Sequence, residues 1–217
     1  MGRDETHAKF GNDSQLEHTR SVLARVNDRR ASCAHRMLRA RPLLVVLLLA
    51  AAVPACTMRL VLQRVKSASV VVNDAVVSSI GRGVVALVGL HVADDDDELK
   101  YCAKKLCGSK LWANQDGKSW RQSVKQMDYE VLLVSQFTLY GEVTNKKHTP
   151  DFKKAMKSEQ ALETYTAFKA AVAAEYGSSE DKIKDGVFGA MMDVQLVNDG
   201  PVTLVIDSPD ASEVWTS

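Results

Sequence analysis

Between Met58 and Asp207 the spacing of apolar residues changes repeatedly, and each change marks an element. "MRLVLQRVKSASVVVNDAVVSSIGRGVVALVGLHV" is dense in valine and leucine, broken at Asn73-Asp74 and at Gly81-Arg82-Gly83. β-Branched runs between such turn residues predict a strand, a hairpin and a further strand. The uniformly apolar Val84–Leu90 predicts a strand buried on both faces. "DDDDELKYCAKKLC" opens with carboxylates, which suit the unpaired N–H groups at a helix start. Leu99, Cys102, Ala103, Leu106 and Cys107 follow at helical spacing, predicting about three turns.

Further along, "SKLWANQDGKSW" reads as a strand and a turn at Asp116-Gly117. "YEVLLVSQFTLYG" reads as one alternating strand, with Leu132, Val134, Gln136, Thr138 and Tyr140 on one face. "EVTNKKHTPDFKKAMK" is a polar, basic loop. From Glu159, the positions Leu162, Tyr165, Phe168, Val172 and Tyr176 recur at three or four residues and predict an amphipathic helix. "GVFGAMMDVQLVNDGPVTLVID" predicts two strands about a turn at Asn198–Pro201, and residues 208–217 lack periodicity and read as a flexible tail. Strands, helix, strands, helix, strands, without βαβ repeats, predict an α+β fold. Its sheet is expected to be mixed or antiparallel and barrel-like, with two main helices.

Charge divides the chain in two. Residues 1–57 hold nine Lys/Arg against five Asp/Glu, a net +4, whereas residues 58–217 hold 19 against 22, a net −3. In the first part, arginines precede an apolar run from Leu43 to Cys56 that is too short for an ordinary membrane span of about 20 residues. The run resembles a signal peptide but follows some 40 mostly polar residues; the arginine content resembles a transit peptide, against which four early acids argue. An upstream extension before a start at Met58 is the competing reading. Residues 1–57 are therefore left out of the fold, and the domain is expected to span 58–207.

No Gly-rich phosphate loop, nucleophile elbow or Ser/His/Asp set appears. Cys33, Cys56, Cys102 and Cys107 have no metal-ligand spacing and no clustered histidines, so no metal or other cofactor is expected. Cys102 and Cys107 read as apolar packing residues of a reducing compartment. The "NDGP" stretch is odd for a hairpin, because Pro201 removes a donor where the next strand should begin pairing.

Two segments carry a resemblance. "SQFTLY", Ser135–Tyr140, and "NDGPVT", Asn198–Thr203, resemble the paired signature motifs of the D-aminoacyl-tRNA deacylase family, in the right order. "MRLVLQRV" and "GVFGAMM" resemble its first strand and the entrance to its penultimate strand. The likeness runs from Met58 to about Asp207.

The resemblance implies a homodimer acting on aminoacyl-tRNA. A cytoplasmic location is expected, with organelle targeting or membrane association through residues 1–57 as the alternative, and no stable membrane partner is expected for residues 58–217. It implies a cis Gly200-Pro201 peptide projecting from one subunit into the other's pocket. That wall would exclude an L-side chain by shape while admitting D-residues and glycine. Arg64 would hold the element through its fixed donors. Ser135, Gln136, Phe137 and Thr138 would form the catalytic pocket. Phe188, Gly189, Ala190 and Met192, with Asn198, Val202 and Thr203, would hold the substrate and its terminal adenosine, where an aromatic ring can stack on a base. Thr138 is the side-chain nucleophile candidate, but a hydroxyl is weak without a base, and none is evident. The favoured alternative uses the N–H groups of Phe137 or Thr138 as oxyanion donors, Gln136 to orient the ester or water, and help from the substrate's ribose 2′-hydroxyl. Because a −3 domain has no overall attraction for phosphate, RNA contact would depend on Lys146, Lys147 and His148, with Lys153, Lys154 and Lys157 nearby. Two competing readings are a nucleic-acid-binding factor on the same fold and a related deacylase that removes L-residues; Ser135 argues against the latter, whose first motif begins with proline.

Overall fold

The computed structural model describes residues 58–209 apart from Asn145, Ser178 and Ser179. The predicted extension 1–57, with Cys33 and Cys56, and tail residues 210–217 lie outside the described residues.

Strand β1 (Arg59–Val72) is the backbone of the sheet. Asn73 and Asp74, both at positive φ (49° and 63°), turn it into β2 (Ala75–Ile80), as a tight hairpin between right-twisted strands requires. β3 (Gly83–Gly89) returns along β1, so β2 pairs its far half and β3 its near half, both antiparallel. β6 (Glu130–Ser135) and the short β7 (Ile183–Asp185) extend the sheet in parallel, while β8 (Asp193–Asp207) lies antiparallel along the other edge of β1. The sheet is mixed and curls towards a barrel. Its end strands approach each other, since Lys184 Nζ on β7 donates to Ser79 O on β2 at 2.8 Å. β4 (Lys110–Trp112) and β5 (Gln122–Ser123) form a separate two-stranded sheet.

The curl makes two cores. Val65, Ala68, Val70, Ile80, Val85, Leu132 and Val134 pack together on one face. Val84, Ala86, Val88, Val131 and Leu133, which point the other way, pack against helices α1 (Asp96–Gly108) and α2 (Ser158–Tyr176). This is why Val84–Leu90 and Val131–Val134 are apolar without alternation. The acidic run before α1 acts as a cap: Asp95 accepts the Asp97 N–H at 2.8 Å, and Glu98 accepts the Asp95 N–H at 2.9 Å. Gly177, at φ 68°, stops α2 in the left-handed conformation that glycine adopts without penalty. Cys102 and Cys107 are free and buried, and burial pushes both thiols up to about 12, so neither is a ready nucleophile. No helix among the described residues is long and apolar enough to cross a membrane.

Three expectations need correcting. The strand predicted through Tyr140 stops at Ser135, and Phe137–Tyr140 form a 3₁₀ turn. Alternation continues past the point where partners exist: β7 pairs only as far as Leu133, and β3 ends at Gly89. The predicted pair of strands around Asn198–Pro201 is one strand, because β1 is long enough to pair both halves. Finally Ser208, read as the start of a loose tail, is buried, and its N–H donates to Met58 O at 2.9 Å.

The interruption in β8 is a bulge. Val65 of β1 faces Asn198 and Arg64 faces Val202, so Asp199, Gly200 and Pro201 have no counterparts in β1. The missing donor of Pro201 therefore costs no ladder hydrogen bond. The Gly200-Pro201 peptide bond is cis.

Candidate active site

Where β6 loses its partners, the chain builds a corner. Gln136 keeps one sheet bond, its N–H donating to Val88 O at 2.8 Å, and then its own carbonyl accepts the Leu139 N–H at 3.2 Å. Since Leu139 is the first residue to donate within the turn, the N–H groups of Phe137 and Thr138 have no acceptor inside it. The Gln136 Nε2 amide donates to Thr138 Oγ1. An amide cannot take up a proton, so this contact does not activate the Thr138 hydroxyl.

The corner forms one wall of a cavity of about 500 Å³, within the range of small-molecule sites. Ser135, Gln136 and Phe137 line it from one side and Phe188 and Gly189 from another. Thr138 is exposed beside it. Phe188 is held by Tyr165 of α2, ring centres 5.5 Å apart, and Phe137 meets Phe152 edge-on at 5.0 Å. Phe152, Ala155, Met156, Lys157 and Ser158 complete the wall, none of them in the predicted pocket. Their signal was faint: Phe152 and Met156 are isolated apolar residues in an otherwise basic loop. Two main-chain bonds dock that loop on the end of β3, Met156 N–H to Leu90 O at 2.9 Å and Val92 N–H to Lys154 O at 3.1 Å.

Not all the predicted substrate residues meet here. Ala190 sits in the turn beyond Gly189, its N–H donating to Val187 O at 3.2 Å. Met192 packs against the core within the curl of the sheet, and Val202 against the helix-side core. Asn198 and Thr203 are exposed on β8, opposite Val65 and Gln63. Lys146, Lys147 and His148 stand exposed on the loop, His148 at φ 54°. Lys153 and Lys154 are paired with Asp151 and Glu142, which weakens the basic patch. Among the described residues, no cluster of three His, Cys, Asp or Glu side chains is placed to hold a metal ion.

The Gly200-Pro201 bulge is elsewhere. Arg64 Nε donates to Asp199 O at 3.0 Å and lies 3.4 Å from the Asp199 carboxylate, while Nη1 donates to Leu111 O. A Cβ on Gly200 (φ 124°) would fall 3.0 Å from Val202 Cγ2 and 3.1 Å from Arg64 Nη2. Across the sheet, Ser135 faces Val88, Val88 faces Leu60, and Leu60 faces Ile206. Pro201 lies five residues before Ile206, at the end of the sheet where β3 begins rather than ends. At about 3.3 Å per residue, the bulge is roughly 15 Å along the strands from its own subunit's corner, and three strands across.

The sequence profile for D-Tyr-tRNA(Tyr) deacylase matches residues 61–207. A D-aminoacyl-tRNA deacylase of Dictyostelium discoideum is 44% identical over 154 residues, which cover 70% of this chain and 99% of that protein. The Drosophila melanogaster protein of the same name is 46% identical, with 72% and 96% covered. Among solved structures, that of a c-Myc DNA Unwinding Element Binding Protein superposes with a TM-score of 0.65 at 40% identity, covering 70% of this chain and 99% of its own. A probable eukaryotic D-amino acid tRNA deacylase shares the fold at 20% identity, TM-score 0.60. With a family profile spanning most of the chain and relatives above 40% identity matched over nearly their whole length, this chain belongs to the D-Tyr-tRNA(Tyr) deacylase family.

Proposed function

We propose that this protein hydrolyses the ester between a D-amino acid, or glycine, and the terminal ribose of tRNA. The observation that carries the chemistry is the corner at Ser135–Thr138, where unclaimed N–H groups stand at the wall of a largely apolar cavity. Attack on the ester carbonyl puts negative charge on its oxygen, and N–H donors fixed by the main chain stabilise it without reorganising. Phe137 and Thr138 supply those donors from the main chain. Gln136 orients the ester or the attacking water, and the substrate's own 2′-hydroxyl assists. Phe188 and Gly189 give the terminal adenine a face to stack on and room to approach.

Chirality falls to Gly200-Pro201. The bulge is too far along the sheet to serve its own cavity, which supports a homodimer in which each subunit lends it to the other. A main-chain wall facing the substrate Cα clashes with an L-side chain and tolerates the hydrogen of a D-residue or of glycine. The outer edge of β8, which has no partner strand among the described residues and carries exposed Val197, Leu204 and Val205, is a surface such a partner could cover. The two buried free thiols suit a reducing compartment and thus the cytoplasm.

Assaying D-Tyr-tRNA against L-Tyr-tRNA tests the reading directly: hydrolysis of the first with sparing of the second is expected, and equal or absent turnover overturns it. The second reading, a nucleic-acid-binding factor without turnover, draws on the likeness to the c-Myc DNA Unwinding Element Binding Protein at 40% identity. Tight nucleic-acid binding with no deacylation would favour it.

A further inference from the structure

Behind the cavity loop lies a carboxylate that the proposed chemistry does not use. Asp94 precedes the cap of α1, and its Oδ2 accepts the His91 N–H at 2.7 Å. Its Oδ1 is buried with no hydrogen-bond partner among the described residues, a costly state for a carboxylate oxygen. Burial raises this carboxyl to about 7, and the Met58 backbone N–H is among the groups that pull it back down.

Met58 itself is fixed from every other direction. Its residue is fully buried in the helix-side core, and its carbonyl accepts the Ser208 N–H at 2.9 Å and faces the Cys102 thiol at 4.0 Å. Only its nitrogen is left to meet Asp94. The charged groups around the carboxyl do not repair the deficit. Glu98 on α1 and Asp95 at its cap add like charge. Arg59 is engaged with Asp207 at 2.6 Å, and Lys154 with Glu142. His91 is held towards its neutral form by burial and by Lys154, and burial pushes Tyr140 and Cys102 up, keeping both uncharged. The Dictyostelium discoideum relative and the c-Myc DNA Unwinding Element Binding Protein structure each match about 70% of this chain over 99% of their own length, so a chain without the first part is enough to build the domain.

We infer that Asp94 is the receptor for the α-ammonium group of Met58, and that the working form of this protein begins at that residue. A free amine there replaces a single amide N–H with a cation carrying three donors, which satisfies Oδ1 and neutralises the carboxylate in one step. The inference is independent of the proposed deacylation.

The test uses the full chain with a protease site ending at position 57, melted before and after cleavage across pH 5–10. Cleavage is expected to raise the melting temperature at pH 7 by roughly 5–10 °C, as befits a partly buried ion pair. The sign with pH is specific. The amine's pKa, about 7.7–8.0 when unfolded, is raised by Asp94, so the gain persists below about pH 8 and disappears as pH rises through the folded value. Uncleaved protein should instead lose stability as pH rises from about 5 to 7, because the buried Asp94 keeps its proton there while the same carboxyl ionises in the unfolded chain. In Asp94→Asn, cleavage should give no gain. Identical melting curves before and after cleavage overturn the inference, as does native protein whose intact mass retains Thr57. An intact mass beginning at an unmodified Met58 supports it.

Discussion

Arg64 Nε donates to the main-chain oxygen of Asp199 at 3.0 Å, immediately before Gly200. A second guanidinium nitrogen donates to Leu111 O on β4, so one planar side chain ties the bulge of β8 to a separate small sheet. Guanidinium suits this role because its donors are fixed in one plane. Arg64→Lys keeps the charge and loses the fork. It should lower the preference for D- over L-Tyr-tRNA by about 10-fold or more, with turnover of the D-substrate reduced less. An unchanged ratio of the two kcat/KM values would remove Arg64 from the selectivity element.

Gly200 is constrained by space as well as by φ. At 124° an L-side chain is rarely tolerated, and its Cβ would crowd Val202 and Arg64. Gly200→Ala should therefore displace the bulge and cost about 1–3 kcal/mol of stability, read by denaturant unfolding. A fully stable, fully selective alanine variant would show that the bulge can absorb a side chain.

For the chemistry, Thr138→Ala separates two mechanisms. The main-chain N–H survives the substitution, so activity on D-aminoacyl-tRNA should stay within about 10-fold of the parent. Loss by three or more orders of magnitude would make the hydroxyl the nucleophile.

Phe188→Ala removes the ring that borders the cavity. Stacking contributes about 1–3 kcal/mol per base, so KM should rise by roughly 5- to 150-fold with kcat less affected. Because Phe188 also packs on Tyr165, Phe188→Leu is the control: it keeps most of the packing and should share the binding defect. Normal KM in both variants would move the adenosine elsewhere.

Affinity for tRNA should fall steeply with salt if Lys146 and Lys147 meet phosphate. Each contact removed in Lys146→Ala and Lys147→Ala should reduce the slope of log affinity against log salt by about 0.7–0.9. A slope unchanged by both substitutions would show that this loop does not touch the RNA backbone.

Much of this architecture was legible along the chain. Carboxylates before Leu99 announced a capped helix because N-terminal N–H groups attract negative charge locally, without help from the rest of the fold. Asn73-Asp74 announced a hairpin for an equally local reason, their tolerance of positive φ. Ser135–Thr138 and Gly200-Pro201 were visible as paired motifs. What alternation could not reveal was where β6 would end: its residues continue the pattern, but its neighbours do not.

Local chemistry thus determined the helices, their caps and the hairpin, because each depends on interactions within a few positions, whereas the candidate residues were legible only through the resemblance of two motifs to those of a known family. Tertiary structure decided the rest. It folded a predicted strand end into the corner that leaves N–H groups available, and it brought Phe152, Met156 and Lys157 to the same cavity from a loop with no apolar rhythm. It also kept Asn198–Pro201 inside one strand, since the length of β1, far earlier in the chain, set how far β8 could pair. Pairing and cavity walls depend on residues distant in sequence, and no local pattern encodes which of them will meet.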